Sequence, residues 1–267
     1  KITPFRGGFI VRFFKMVLLG SLIVVSCGLG DKSSRENAPA WRESDYNGVK
    51  IMVNEGDINL MEAPNAPSYP VLIGGAPADR KDWPASFTTS QGNSRCTGTM
   101  IGPQVLQLAA HCVGNGKTAS ITKDGVVYKS TCSHSPDYKT DPTADYALCK
   151  MEKEVDLPLY ESIHQSDKSV KVGDKILLAG MGCVNQGGGG GNDDVFRVGE
   201  TSVVGIPTRD NDIVTKGNVA LCFGDSGGSA FWKDEKGVYK VIGINSRGDI
   251  QTTSYLSAVF TKPAKDF

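Results

Sequence analysis

From Val71 onward, apolar runs of strand length alternate with turn signals, and long amphipathic helical stretches are hard to find. That pattern restricts the chain to a β-rich fold with many turns, and its 32 glycines agree with it. Ser120-Ile121-Thr122-Lys123 and Val126-Val127-Tyr128-Lys129 flank Asp124-Gly125. An Asp-Gly pair between two such runs predicts a hairpin, because both residues tolerate the left-handed backbone of a tight turn. Lys175-Ile176-Leu177-Leu178-Ala179-Gly180 reads as a buried strand, and Ala230-Phe231-Trp232 and residues 238–244 as strands flanking a turn at 234–237. The glycine run 187–191 reads as a flexible loop. No repeat of solenoid type is present.

With 267 residues, 39% of them hydrophobic, the chain suffices for one large globular unit or two small ones. Its 29 Lys and Arg balance 29 Asp and Glu, so it has no broad attraction to nucleic acid or to an anionic membrane. No metal-ligand spacing stands out, and the glycine run lacks the Lys and Ser/Thr of a phosphate-binding loop, so neither metal nor cofactor is expected.

Seven cysteines point to an exported protein that pairs six of them. The odd one is Cys27. It follows an apolar run at 16–25, preceded by Arg12 and Lys15, which reads as an export signal and is too short for a comfortable membrane span. Val24-Val25-Ser26-Cys27 resembles the lipobox of bacterial lipoproteins, which implies a cut before Cys27, an acylated thiol and a lipid anchor as the one membrane attachment. Residues 28–71 are polar and proline-bearing and read as a tether or pro-segment, with residues 72–267 as the folded domain.

Three local clusters carry chemistry, in the order His, Asp, Ser: Leu108-Ala109-Ala110-His111-Cys112, Ala144-Asp145-Tyr146-Ala147-Leu148 and Gly224-Asp225-Ser226-Gly227-Gly228-Ser229. A serine hydroxyl is a poor nucleophile at neutral pH and needs a base, and a histidine titrates in the useful range. The base needs a group that fixes its tautomer and stabilises its charged form, and a carboxylate does both. Glycines around Ser226 permit a turn tight enough to aim the amides of Gly224 and Ser226 at one point, where they would hold an oxyanion. The other histidines, His134 and His164, belong to no such cluster.

Gly-Asp-Ser-Gly-Gly at 224–228, Ala-Ala-His-Cys at 109–112 and Asp-Tyr-Ala-Leu at 145–148 resemble the signatures of the trypsin/chymotrypsin family of serine proteases, over residues 72–262. The resemblance implies an all-β fold of two antiparallel six-stranded β-barrels, at about 72–165 and 166–267, with the active site in the cleft between them. It implies a serine endopeptidase with His111, Asp145 and Ser226 as triad and the amides of Gly224 and Ser226 as oxyanion hole. Polypeptide substrates, a protein inhibitor and a monomeric state go with it.

Leu72-Ile73-Gly74-Gly75 resembles the family's activated amino terminus. That implies a zymogen cut between Val71 and Leu72, whose new ammonium is buried against Asp225. Ser246 matches the serine that supports the triad aspartate, and Gly248 lies on the strand that pairs with substrate. Arg247 stands where the family usually has tryptophan. The implied disulfides are Cys96–Cys112 and Cys132–Cys149, with Cys183–Cys222 as a departure from the family's more common pairing; six cysteines by themselves permit 15 pairings.

The specificity pocket implied by the resemblance is lined by Ala220, Ser246, Gly248 and Ala258. Ala220 puts no carboxylate at its base, so cleavage after apolar residues is expected. Val71 is itself apolar, which suits self-activation. Lys262-Pro263-Ala264-Lys265-Asp266-Phe267 stops where the family usually continues into a helix. Two other classes fit less well. An α/β-hydrolase places its histidine after the serine, whereas here it comes first. An inactive protease homologue kept for binding has no use for an intact triad.

Overall fold

The computed structural model describes the backbone of residues 41–46 and 49–54 and, with their side chains, residues 72–92, 94–166, 168–190 and 193–267. The expected signal, Cys27 and most of the expected tether lie outside the described residues. Within the tether range, β1 (Trp41–Tyr46) and β2 (Val49–Asn54) pair as an antiparallel hairpin.

A strand that alternates apolar and polar residues leaves one face to bury, and a sheet curled shut buries that face on itself. The chain does this twice. A two-residue strand, β3 (Ala76–Pro77), precedes β4 (Ser86–Gln91), β5 (Ser94–Gly102), β6 (Val105–Leu108), β7 (Thr118–Lys123), β8 (Val126–His134) and β9 (Ala147–Met151). The last six close an antiparallel barrel in the order β4-β5-β6-β9-β8-β7. The Asp-Gly turn forms as expected, with φ of +50° at Asp124 and +76° at Gly125, and sets Lys123 opposite Val126. Met100, Leu106, Leu108, Ile121 and Met151 fill this barrel. Burying each contributes about 1.5–3 kcal/mol.

The second barrel is built from β10 (Lys175–Gly180), β11 (Arg197–Gly205), β12 (Asp212–Lys216), β13 (Ser229–Lys233), β14 (Tyr239–Gly248) and β15 (Thr253–Ala258). Their order is β10-β13-β14-β15-β12-β11, and pairing of β10 with β11 closes it. Ile176, Leu178, Ile213, Ile242 and Leu256 form its centre. Trp83 packs between the barrels' apolar surfaces, its ring 5.8 Å from Phe196 and 4.9 Å from Phe231. Among the described residues no helix is long and apolar enough to cross a membrane.

Two details differ from the sequence reading. Residues 72–77 fall in the range expected for the first barrel but belong to the second. Pro77 and Ala76 pair with Arg197 and Val198 of β11, and Leu72 is buried in the second barrel's core. The closing residues, expected to stop short of a helix, form one, α1 (Lys262–Asp266), and the Phe267 ring beyond it lies 5.5 Å from that of Tyr146.

Candidate active site

His111 sits on a 3-10 turn, Ala110–Cys112, that follows β6. Cys112 is bonded to Cys96 of β5, which pins the turn to the first barrel. Cys132–Cys149 joins directly opposed residues of β8 and β9, just below Asp145, and Cys183–Cys222 completes the three expected pairs.

Asp145 is 3% exposed and lies between the two barrels. Its Oδ1 accepts from the His111 amide at 2.9 Å, and its Oδ2 faces His111 Nδ1 at 2.6 Å. Ser246 Oγ, from β14, donates to Oδ2 at 2.6 Å. The Asp145 amide donates to Ser257 Oγ at 3.1 Å, and that hydroxyl in turn donates to Thr143 O at 2.8 Å. Burial alone pushes the Asp145 carboxyl up. The hydrogen bond and charge of His111, then Ser246 and the backbone, outweigh it and hold the pKa below the usual carboxylate value. Asp145 thus stays ionised, and with Nδ1 engaged, Nε2 of the exposed His111 ring is the nitrogen left for proton transfer.

Ser226 is carried by the loop between β12 and β13. Its carbonyl accepts from Thr97 N at 2.8 Å, and Thr97 Oγ1 donates to Gly224 O at 2.8 Å. Gly227 has φ of +83°, and a Cβ there would lie 2.4 Å from Thr97 O and 3.0 Å from Ala109 N. Only glycine lets the serine loop approach the histidine turn so closely. Ser226 Oγ makes no hydrogen bond within 3.5 Å to His111; contacts of this kind often tighten only around substrate.

Gly224 has φ of +100°. The Phe223 carbonyl accepts from Cys183 N at 2.8 Å, so the trans peptide turns the Gly224 N–H the opposite way. Neither that N–H nor the Ser226 N–H donates to any acceptor among the described residues. Two unengaged amides on one loop are the donors an oxyanion requires. Asp225 between them is fully buried, accepts from Gly182 N at 2.8 Å and Cys222 N at 2.9 Å, and is pushed up to about 7 by burial.

The expected pocket residues separate into two groups. Ala220 is fully buried, and its neighbour's amide, Leu221 N, donates to Ser254 Oγ at 2.9 Å. Gly248 pairs with Ser254, and a Cβ on Gly248 would lie 3.8 Å from Leu221 Cβ. Ala220, Gly248 and Ser254 are therefore neighbours. Ala258 is not among them: it pairs with Gly243 inside the barrel core. A β-bulge on β14 between Asn245 and Arg247 moves the register by one, so that Ser254 rather than Thr253 faces Gly248. Ser246 turns its hydroxyl to Asp145 rather than to the pocket.

Arg247 is anchored at the position where the family usually has tryptophan. Its guanidinium hydrogen-bonds Asp212 of β12 and Ser246 Oγ, the latter at 3.5 Å, and lies 4.9 Å from the Tyr255 ring centre. The sequence reading missed Thr97, Ser254 and Ser257. Each is an ordinary strand residue with no local motif, and only its partners distinguish it.

The family model for trypsin matches residues 72–265. A trypsin-like protease of Streptomyces glaucescens is 28% identical over 214 residues, covering 72% of this chain and 78% of that protein. Transmembrane protease serine 11E of Mus musculus is 25% identical over 208 residues, covering 67% of this chain and 48% of that longer protein. A solved structure of a mutant of human heparin binding protein (CAP37) aligns with a TM-score of 0.57 at 18% identity, over 70% of this chain and 91% of that one, a likeness of fold. With that family model matching residues 72–265 on two closed barrels, the chain belongs to the trypsin-like serine protease family.

Proposed function

We propose that this protein is a serine endopeptidase that cuts peptide bonds through an acyl-enzyme. The observation that carries the reading is the buried Asp145 held on His111, beside a loop whose Gly224 and Ser226 amides donate to no acceptor among the described residues. In this reading Ser226 Oγ attacks the peptide carbonyl while His111 Nε2 takes its proton. The new oxyanion accepts from the Gly224 and Ser226 amides. His111 passes the proton to the amine, which leaves with its half of the peptide. Water then attacks the acyl group, again losing a proton to His111, and the acid and free serine are regenerated. Asp145 keeps Nδ1 protonated and stabilises the imidazolium throughout.

Cleavage falls after apolar residues. Ala220 offers no charge to a basic side chain, and Ser254 and Gly248 leave the pocket small-walled and uncharged. The protein is exported, anchored through Cys27, and made as a precursor cut between Val71 and Leu72.

Two features support that cut. Asp225 is a fully buried carboxyl pushed up to about 7 by burial, and a Leu72 ammonium would supply a cation to pair with it. Leu72 also has φ of +50°, a strained conformation for leucine that loses its constraint once the preceding bond is broken. Because Val71 suits the pocket, the enzyme makes this cut itself; processing of a Ser226→Ala chain with no other protease present would contradict that step.

A phosphonate that reacts only with an activated serine tests the main reading. Ser226 should be labelled, and His111→Ala should abolish the labelling. A parent chain that resists the probe would favour a binding protein on the same fold.

A further inference from the structure

The amides of Gly224 and Ser226 are aimed by a loop held by Thr97, by Asn245 and by one short segment, residues 182–183, which alone is bonded to it covalently. Cys183 N fixes the Phe223 carbonyl, and Gly182 N fixes one oxygen of Asp225. The Cys183–Cys222 disulfide bonds that segment to the residue at which the loop begins. The fit is close: a Cβ on Gly180 or Gly182 would come within 2.1 Å or 2.6 Å of Asp225 atoms. On its other side the disulfide packs with Ile73 and Ala220 in one buried cluster, and Ala220 N donates to Ile73 O at 3.0 Å. The bond therefore touches the amide loop, the pocket base and the segment just after the proposed cut. All of these contacts exist in a chain that has not been cut at Leu72.

We propose that the Cys183–Cys222 disulfide positions the Gly224 and Ser226 amides in the uncut precursor, so that the precursor already reacts at Ser226. Cys183 and Cys222 are positioning residues, since neither meets substrate. The covalent tie keeps residues 182–183 against residues 222–225, an order that a free amino group at Leu72 would otherwise have to impose by binding Asp225. The cut then adds a cation beside a carboxylate that is already in place. The proposal rests on the serine-peptidase reading and deepens it, because self-cleavage before Leu72 needs a precursor with some activity of its own.

The test compares four proteins, all with an introduced processing sequence in place of the residues before Leu72 so that the chain cannot cut itself: the full chain, the same chain cut there, and both forms carrying Cys183→Ala with Cys222→Val. These apolar residues suit the buried cluster and remove only the bond; a Cys183→Ser/Cys222→Ser pair serves if they fail to fold. The readouts are the rate of phosphonate labelling at Ser226 and turnover of a peptide ester. The uncut parent should be labelled within about 10-fold of the cut parent, and loss of the disulfide should slow the uncut form on the order of 100-fold, as loss of an oxyanion donor does. The cut form should lose much less. On the ester, the loss should fall on kcat with KM little changed, because the amides meet charge that develops only in the transition state; a general loss of stability does not produce that split. Equal labelling of the uncut chain with and without the disulfide overturns the proposal. So does an uncut parent that stays unlabelled while the cut parent reacts. If the cut parent is silent as well, the peptidase reading fails together with it.

Discussion

Ser246 Oγ and His111 Nδ1 meet the same oxygen of Asp145, each at 2.6 Å. Asp145 belongs to the first barrel and Ser246 to the second, so this one carboxylate joins the two halves of the site. Asp145→Asn should lower kcat on the order of 10⁴-fold by leaving His111 in the wrong tautomer. Ser246→Ala removes one hydrogen bond to a charged group, worth about 1.5–3 kcal/mol, and should cost roughly 10- to 100-fold. Kinetics on one peptide ester measure both.

Two buried carboxyls make the uncut chain sensitive to alkali. Burial pushes Asp225 up to about 7 and Glu161 up to about 8. In the unfolded chain both ionise near pH 4. Above that the unfolded state binds fewer protons than the folded one, so stability falls as pH rises, until each group ionises in the fold as well. Asp145 acts with the opposite sign. Its lowered pKa gives stability that is present above the unfolded value and lost as pH falls through the folded one. The Tm of the uncut Ser226→Ala chain should therefore fall between about pH 4 and pH 8. Asp225→Asn and Glu161→Gln should each flatten that slope.

Gly227→Ala should destabilise the chain by several kcal/mol, roughly 2–4, and abolish ester hydrolysis. The new Cβ would sit 2.4 Å from the Thr97 carbonyl oxygen, a backbone atom that cannot swing aside, at a φ of +83°. Denaturant melts and the ester assay check this. A tolerated alanine would mean that the serine loop lies farther from Thr97 and Ala109.

A carboxylate at the pocket base should redirect the enzyme. Ala220→Asp should raise kcat/KM for bonds after Arg or Lys by on the order of 10- to 100-fold and lower it for apolar residues, because a buried charge without a partner repels them. Ser254→Val should narrow the pocket and reduce turnover of the bulkiest side chains first, whereas Ala258→Val should act on stability, since Ala258 lies in the barrel core. Cleavage profiling of a peptide library distinguishes these outcomes.

The runs that carry His111, Asp145 and Ser226 stand out in the sequence because each is compact and its neighbours serve the same turn. His111 is followed by the cysteine that pins it, and Ser226 is flanked by the glycines its loop requires. The hairpin at Asp124-Gly125 and the strand Lys175–Gly180 were legible for the same local reason. What the sequence concealed depends on pairing between distant strands. A bulge on β14 decided that Ser254, and not Thr253, faces Gly248, while Ala258 lies opposite Gly243 farther along the strand. The place of residues 72–77 rests on a two-residue strand too short to leave a pattern. The anchoring of Arg247 depends on Asp212, 35 residues away along the chain.

The central claim, a Ser226 nucleophile activated by His111 and served by two amides, is tested most directly by trapping the acyl-enzyme. A chain cut before Leu72, mixed with a slowly deacylating ester of an apolar amino acid, should release a burst of alcohol equal to the enzyme present. Mass spectrometry should then place the acyl group on Ser226. His111→Ala should remove the burst while leaving the fold intact. Acylation at another residue, or a burst unchanged in His111→Ala, would contradict the account.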